Sequence, residues 1–398
     1  MSMDQKDKSA KDQTPARNVE HYVDPAPFNP AVTEEMTAAQ ERFFQASQWQ
    51  IMWWKFKRHK LAVWSGVVLI LFYLCVPFAE TIAPYTPNLR DSDHLYAPPQ
   101  PVHLFHEGRL VGPFVYGMTS SLDMETLQWV FTDDTSDVQR IRFFCGGAPY
   151  EFWGLFDTGF HLFCPAEGGT LFLLGTDRLG RDQFSGLVYG ARLSLTVGIV
   201  GVTISIVLGL FFGGIAGYFG GFLDNMIQRM IEIIRSLPEL PLWMALSAAL
   251  PVTWGPVWIY FGLTIILGLL DWPGLARAVR SKLLSLREEE YAKAAVLMGA
   301  KPGRVITRHL LPGFTSHIIA SATLSIPAMI LGETALSYLN LGLRRPAVSW
   351  GVLLNEAQNI SVVTVYPWLM APVLPIIIVV LAFNFLGDGL RDAADPYK

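Results

Sequence analysis

The side chains of this 398-residue chain that could do chemistry are sparse, and their spacing restricts what they could do. Arg229, Glu232, Arg235 and Glu239 recur at three- and four-residue steps, so on one helix they would share a face and pair along it. Arg229 and Glu232 suit an ion-pair staple. Glu239 stands between Pro238 and Pro241 in an apolar stretch, where an ionisable group is costly unless it faces a bundle interior or a wet cavity. A place on a transport pathway and a satisfied contact between helices both fit it. The three cysteines, Cys75, Cys145 and Cys164, form no Cys-x-x-Cys, which excludes a zinc ribbon and a haem attachment site. His103 and His106 could share a metal, but a solvated loop accounts for them more simply, and no metal site is expected. No Gly-x4-Gly-Lys-Ser/Thr loop, Gly-x-Ser-x-Gly elbow or His-Glu-x-x-His pair occurs, so no catalytic residues are expected.

The elements that must position these residues are apolar. The chain is 51% hydrophobic, and its 16% charged residues fall well below the roughly 25% of soluble domains, which indicates a membrane protein. A net charge of −4 argues against a nucleic-acid binder. Residues 1–50 read as a polar cytoplasmic tail, neither a cleavable signal peptide nor a span. Residues 51–84 hold an interfacial anchor, with Trp53, Trp54 and Lys55 to Lys60, followed by span one from Leu61 to Ala79. Residues 85–173 change character: prolines punctuate short β-prone runs, and an extramembrane insert is expected. Residues 174–192 form an elbow in which Asp177 can cap a helix and stands four residues before Arg181; a structural role suits it better than ligand contact. Residues 193–398 hold five more spans, at about 193–223, 225–250, 255–276, 312–332 and 368–387. In span two, Gly209, Gly213, Gly214 and Gly217 are small enough for close helix packing.

Six spans place both termini on one side. With the N-terminus inside, the inner side receives Lys55, Lys57, Arg58 and Lys60, the basic residues from Arg277 to Arg308, and Arg391 and Lys398, as the positive-inside rule requires. The polar segment 277–312 is then cytoplasmic. Within it, Glu288 to Met298 reads as a short helix with acids at its start, stopped by Gly299; Pro302-Gly303 reads as a turn, and Arg304 to Leu311 as a second helix. A helix-turn-helix bracket with small Ala294 and Ala295 suits docking into a partner's groove.

Tyr291, Ala294-Ala295, Gly299 and Leu311-Pro312 resemble the cytoplasmic loop of binding-protein-dependent ABC importer permeases, whose pattern is Glu-Ala-Ala, three residues, Gly, nine residues, Ile-x-Leu-Pro. Lys293 replaces the expected Glu, and His309 the expected Ile. The variant Glu290-Tyr291-x-x-Ala294-Ala295 with Arg308-His309-x-Leu311-Pro312 is similar to the dipeptide/oligopeptide/nickel branch, although Gly313 stands where that branch usually has Asn. Leu174 to Asp182, Ser185 to Leu195, and Leu336 to Gly351 resemble the same branch. The resemblance covers about Leu174 to Tyr397 and span one, and leaves out the insert and the tail.

The resemblance implies a six-transmembrane-helix ABC importer permease core; with the extracytoplasmic insert between spans one and two read as β-rich from its own residues, the expected fold class is an all-α membrane protein with a β-rich insert. It implies a multi-pass protein of the bacterial inner membrane with both termini cytoplasmic. It further implies a pore shared with a second homologous permease, two ATPase subunits inside, a periplasmic substrate-binding protein outside, and peptide as cargo. No cofactor is expected in this chain, since ATP and Mg would be bound by the partner ATPases. Glu289, Glu290, Tyr291, Ala294, Ala295, Gly299, Ala300, His309 and Pro312 are the coupling residues so implied, and Glu239 remains the pathway candidate. Oligosaccharides, opines and nickel chelates are alternative cargoes within the class. A stand-alone secondary transporter or channel is the rival of another class, but its expected internal inverted repeat is not evident. Cys145 and Cys164 share the insert, where oxidising surroundings permit a disulfide, whereas Cys75 lies in span one.

Overall fold

A computed structural model describes residues 46–125, 128–251 and 253–394, so most of the expected N-terminal tail lies outside the described residues. Helix α1 (Gln48–Arg58) turns by 98° into α2 (Lys60–Cys75), with His59 Nδ1 accepting from the Ala62 amide at the bend. A one-turn helix, α3 (Ala79–Ile82), follows. Two antiparallel sheets come next: β1 (His103–His106), β2 (Arg109–Asp123) and β3 (Gln128–Arg140) in that order, then β4 (Arg142–Phe152) paired with β5 (Phe156–Cys164). A disulfide joins Cys145 to Cys164 across the second pair, with Cα atoms 6.3 Å apart. His106 Nδ1 lies 3.1 Å from the Tyr116 hydroxyl, and His103 packs on the Phe114 and Tyr116 rings, so both histidines serve the first sheet.

The core is built on α4 (Gln183–Phe219) and α7 (Pro256–Leu286), which run side by side. At 1.5 Å per residue, the 37 residues of α4 extend about 55 Å, more than a roughly 30 Å hydrocarbon layer requires. Its small residues recur every fourth position: Gly201, Ser205, Gly209, Gly213 and Gly217. A Cβ on Gly209 would lie 2.9 Å from that of Leu275, one on Gly213 2.6 Å from the Ala276 carbonyl oxygen, and one on Gly217 2.9 Å from that of Arg280. From the other side, Gly268 meets the Gly201 carbonyl in the same way, at 2.8 Å. Glycine here permits backbone-to-backbone approach, the device that packs helices where apolar burial alone gives no net drive. Ser205 donates to Asp271 Oδ2 at 2.9 Å and pairs one of the few acids in the seam.

Helices α5 (Gly221–Ser236) and α6 (Glu239–Ala248) occupy the segment expected to form one continuous third span, and the expectation fails at Leu237-Pro238. Leu237 is extended (φ −96°, ψ 143°), as a residue before proline tends to be, and Pro238 supplies no amide to continue the ladder. Arg229 and Glu232 pair at 2.7 Å on α5, but Glu239 opens α6 and does not continue their face. Asp224 near the start of α5 pairs with Arg280 near the end of α7 at 2.5 Å, while α6 ends just before α7 begins. The broken pair therefore retraces α7.

Past the segment after α7, α8 (Glu290–Leu297) leads to α9 (Pro302–Tyr338), and α10 (Trp350–Asn355), α11 (Ile360–Val365) and α12 (Val373–Ala394) complete the chain. A 3₁₀ turn, Pro367–Met370, introduces α12. Helix α12 packs against α9 and α2, and α9 against α4. Among the described residues, four helices are long and apolar enough to cross a membrane: α4, α7, α9 and the stretch Pro367–Ala394. The bent α1–α2 pair makes a possible fifth.

The elbow before α4 is held by charge. Asp177, 1% exposed, accepts from the Leu179 and Arg181 amides and from Arg181 Nε at 2.6 Å. Arg181 and Arg178 both reach Glu356 after α10, at 3.0 and 3.1 Å, and Arg345 reaches back to Asp177 at 3.4 Å. Asp182 then caps α4 by accepting from the Ser185 amide at 2.8 Å. Burial raises its pKa to about 6.

Replacing Gly213 by valine should destabilise the detergent-solubilised protein by about 3 kcal/mol, since the nearest facing atoms are the Ala276 backbone and cannot yield. Gly214→Ala, whose Cβ would meet only Ile306 Cγ2 at 3.7 Å, should be near neutral. Thermal unfolding followed by size exclusion checks the difference.

Candidate functional site

The segment between α7 and α9 begins by tying itself to α4. Arg287, which caps the end of α7, donates from Nη1 to the Tyr218 carbonyl at 3.1 Å, supplying a donor to the open C-terminal end of α4. Glu288 pairs with Arg287 at 3.3 Å and Lys293 at 3.2 Å. Its hydrogen bond and charge contact with Lys293 hold the Glu288 carboxyl below the usual carboxylate range. Helix α8 starts at Glu290, two residues later than the sequence suggested, because Glu289 is extended (φ −67°, ψ 148°) in the N-cap position. Glu290 in the first turn complements the helix dipole.

Helix α8 is short, and one face of it belongs to the protein interior. Ala292 and Ala295 are each 2% exposed and join Val279 and Leu283 of α7 with Val305, Leu310, Phe314 and Ile318 of α9 in one apolar cluster. Ala295 therefore does not present its side chain outward as the reading of the Ala-Ala pair required; its neighbour Ala294 does. Residues 292 and 295, three apart, share one face of the helix, whereas 291 and 294 each precede them by one residue, about 100° around the axis, which explains the division.

Gly299 ends α8 in the left-handed region at φ +82°. The Gly299 amide donates to the Val296 carbonyl at 2.9 Å and the Ala300 amide to the Ala295 carbonyl at 3.1 Å, the two bonds of a Schellman stop. Ala300 packs against the cluster holding Ala295, the apolar contact that accompanies this motif. Nothing lies within 4 Å of a Cβ built on Gly299, so its glycine answers to backbone conformation and not to crowding.

Pro302-Gly303 is the first turn of α9 and not a separate turn, with Pro302 at a position where its missing amide is harmless. Pro312 does not end the helix either. Its ring and absent amide disrupt the normal ladder four residues back, and the chain adapts by widening to a π-helical stretch, Val305–Leu310, then tightening to a 3₁₀ turn, Leu311–Phe314. His309 is half-buried on the widened stretch and Pro312 is exposed.

The outward side of the bracket is apolar. Leu297 is 88% exposed and Met298 80%, with Tyr291 and Val296 about half exposed beside them. Partial burial raises the Tyr291 pKa. The exposed end of the knob, Val296 to Met298, is apolar, a surface suited to docking. Ser281, Lys282 and Ser285 before the bracket and Gly313, Phe314 and Ser316 after it line a cavity of about 1210 Å³.

Glu239 lies apart from the bracket, exposed at the α5–α6 break. Sequence reasoning missed Glu333. This α9 acid is fully buried and accepts from Ser337 Oγ at 2.7 Å and Ser194 Oγ at 3.2 Å. Those hydroxyls in turn accept from the Leu343 and Trp350 amides, so one carboxyl holds α4, α9 and α10 together. Its signal was an acid inside an apolar run with a serine four residues on.

Residues 206–397 match the family described as "Binding-protein-dependent transport system inner membrane component", and residues 47–99 match "N-terminal TM domain of oligopeptide transport permease C". The dipeptide transport system permease protein DppC of Bacillus subtilis (strain 168) is 42% identical over 226 residues, 56% of this chain and 68% of that protein. The chain belongs to the binding-protein-dependent transport permease family. Another relative of this permease, the oligopeptide transport system permease protein OppC of Haemophilus influenzae, is 38% identical over 224 residues, 56% of this chain and 69% of that protein. A chain from the structure of the MetNI methionine ABC transporter in an inward-facing conformation aligns at TM-score 0.40 and 20% identity, covering 52% of this chain and 95% of that one. The two family matches leave residues 100–205 of the permease uncovered, a range that holds both sheets.

Gly299→Ala should weaken the α8 stop by about 1–2 kcal/mol, the cost of a left-handed non-glycine residue. Faster amide exchange confined to residues 290–300 would report it. Gly299→Asn should restore most of the protection, since Asn tolerates that conformation.

Proposed function

We propose that this chain is the non-catalytic permease subunit of an ATP-driven importer and forms the translocation pore with a second, homologous permease. Two ATPase subunits dock on the cytoplasmic side and bind the ATP and Mg, while a periplasmic binding protein delivers cargo. Peptide is the cargo this reading favours, because the relatives at 42% and 38% identity are named as dipeptide and oligopeptide permeases. Oligosaccharides, opines and nickel chelates remain cargoes of the same class. A stand-alone channel or secondary transporter has no use for an apolar knob outside the membrane.

Six passages fit this arrangement if α2 crosses once and α5 with α6 cross together as a broken helix. The passages then run α2, α4, α5–α6, α7, α9 and α12, which leaves both termini, α1 and the bracket in the cytoplasm of an inner-membrane protein. The basic residues around α1 and the bracket agree with that direction.

The observation that carries the coupling role is the exposed Val296, Leu297 and Met298 end of α8, set on a rigid stop between two long helices. ATP-driven closure of the ATPases would press on this end and move α7 and α9 with no slack linker between them. Of the residues implied for coupling, Tyr291, Ala294 and Gly299 would meet the partner, Glu289 and Glu290 start the docking helix, Ala295 and Ala300 hold it to its own chain, and His309 and Pro312 shape the start of α9.

Leu297→Asp should insert and fold normally, because that side chain touches little of its own chain, yet lose at least tenfold in ATPase copurification or substrate-stimulated ATP hydrolysis in reconstituted complexes. Full stoichiometry together with full stimulation would remove the coupling assignment.

For Glu239, we propose a surface facing the pore or the second permease, since exposure to lipid would cost several kcal/mol. Glu239→Leu should lower uptake severalfold while the complex still assembles. Wild-type uptake at equal expression would rule out the pathway role.

A further inference from the structure

The tip of the β4–β5 hairpin is an unusual place for apolar side chains. Phe152-Trp153-Gly154-Leu155 closes it with a turn in which Trp153 (φ +52°) and Gly154 (φ +67°) are both left-handed, and the Leu155 amide donates to the Phe152 carbonyl at 2.9 Å. Glycine suits that turn; tryptophan does not, and its conformation needs outside support. Trp153 Nε1 donates to the Pro77 carbonyl just past the end of α2 at 3.0 Å, and the Arg192 guanidinium sits over the indole ring at 4.1 Å. Arg192 also bridges to Glu80 at 2.7 Å and to the Val76 carbonyl at 3.2 Å. Farther up the hairpin, His161 Nδ1 bonds the Ala83 carbonyl at 2.7 Å, and the Tyr150 hydroxyl lies 3.2 Å from Thr81 Oγ1. The tip is thus fixed to the end of the first apolar helix.

What the tip exposes is continuous with what that helix exposes. Val67, Leu71 and Leu74, at steps of four and three residues, form an outward apolar stripe on α2, and exposed Phe78 follows Pro77 just past the helix end. Leu155 (79% exposed), Phe156 and Trp153 extend the apolar surface past the helix end. The acidic neighbours Glu151 and Asp157 oppose each other one residue back from the tip, and by strand alternation they point to the face opposite Phe152 and Phe156. Exposed indole, phenyl and leucine side chains at the tip, with the Glu151 and Asp157 carboxylates turned away from the Phe152–Phe156 face, beside the end of an apolar helix, have the composition of a membrane interface.

We propose that the hairpin tip, Trp153, Leu155 and Phe156, seats in the interfacial region of the outer leaflet of the bilayer and anchors the insert beside α2. This rests on the reading that α2 crosses the membrane with its C-terminal end outward. The alternative cover for the patch is the second permease. Lipid is favoured because the patch continues an all-apolar helix stripe and carries no polar group for specific recognition.

The test uses the full chain in its assembled complex in proteoliposomes, with Cys75→Ser and the native disulfide retained. A single cysteine, Leu155→Cys, is labelled with an environment-sensitive NBD probe. Leu110→Cys, exposed to a similar extent (71%) at the start of β2, serves as the comparison. Phospholipid carrying a nitroxide near its headgroup should quench the probe at 155 at least twofold more than at 110, and aqueous iodide should quench 110 more. If iodide quenches both sites equally and the nitroxide lipid neither, the tip is in water and the proposal fails. If neither agent reaches 155, the tip is covered by protein and the proposal fails in favour of the second permease. The reading of α2 is judged separately, by a cysteine at Leu71: lipid quenching there without quenching at 155 would overturn the anchor alone.

Discussion

The close approach of α4 to α7 is the constraint on which the remaining structure depends. Inside a bilayer, apolar side chains lose nothing by facing lipid, so two long helices stay together only if their surfaces fit closely or polar groups bond across them. Gly201, Ser205, Gly209, Gly213 and Gly217 provide the fit, and Ser205 with Asp271 provides a bond. Because the contact runs along most of α7, from Tyr260 beside Thr196 to Leu283 beside Gly217, it fixes where each end of α7 lies. One end meets the α6 terminus; the other carries Arg280 to Asp224 and Arg287 to the Tyr218 carbonyl. The bracket inherits its position from that second end.

The two ends of the molecule are secured differently. At the elbow, Asp177, Arg178, Arg181, Arg345 and Glu356 form a network of ion pairs that joins the start of α4 to the loops flanking α10. Glu333 and its serines continue the tie inward. At the bracket the cohesion is apolar: Ala292 and Ala295 drop into a cluster shared by α7 and α9, and the Schellman bonds close the helix over it. The cohesion is thus polar at one end and apolar at the other.

Prolines mark where the simple reading of helices as uninterrupted cylinders gave way. Pro238 broke a run expected from the sequence to be one span, whereas Pro273 and Pro327 lie within α7 and α9 without ending them, and Pro312 was absorbed by a π and a 3₁₀ adjustment. Apolar content shows that a stretch prefers lipid, but not whether its backbone ladder survives a proline. That depends on whether neighbouring packing holds the helix through the defect, as the α4 seam does for α7. The break at Pro238 has no such support, because the Glu239 side of α6 is exposed.

The sequence by itself determined that this is a membrane protein of the binding-protein-dependent permease family, because hydrophobic run length and the spacing of Ala294, Ala295, Gly299, Leu311 and Pro312 are local properties of the chain. It also determined the Gly299 stop, since a left-handed terminus is a demand on one residue. Tertiary structure decided which side of α8 faces inward, and so separated Ala295 from Ala294: adjacent residues on a short helix point to different sides, and only the placement of α7 and α9 says which side is covered. It decided, too, that Glu333 has three helices for company, and that Trp153 meets Pro77 across 76 residues of chain. Such contacts join residues far apart in sequence, and their existence depends on where every intervening element has packed.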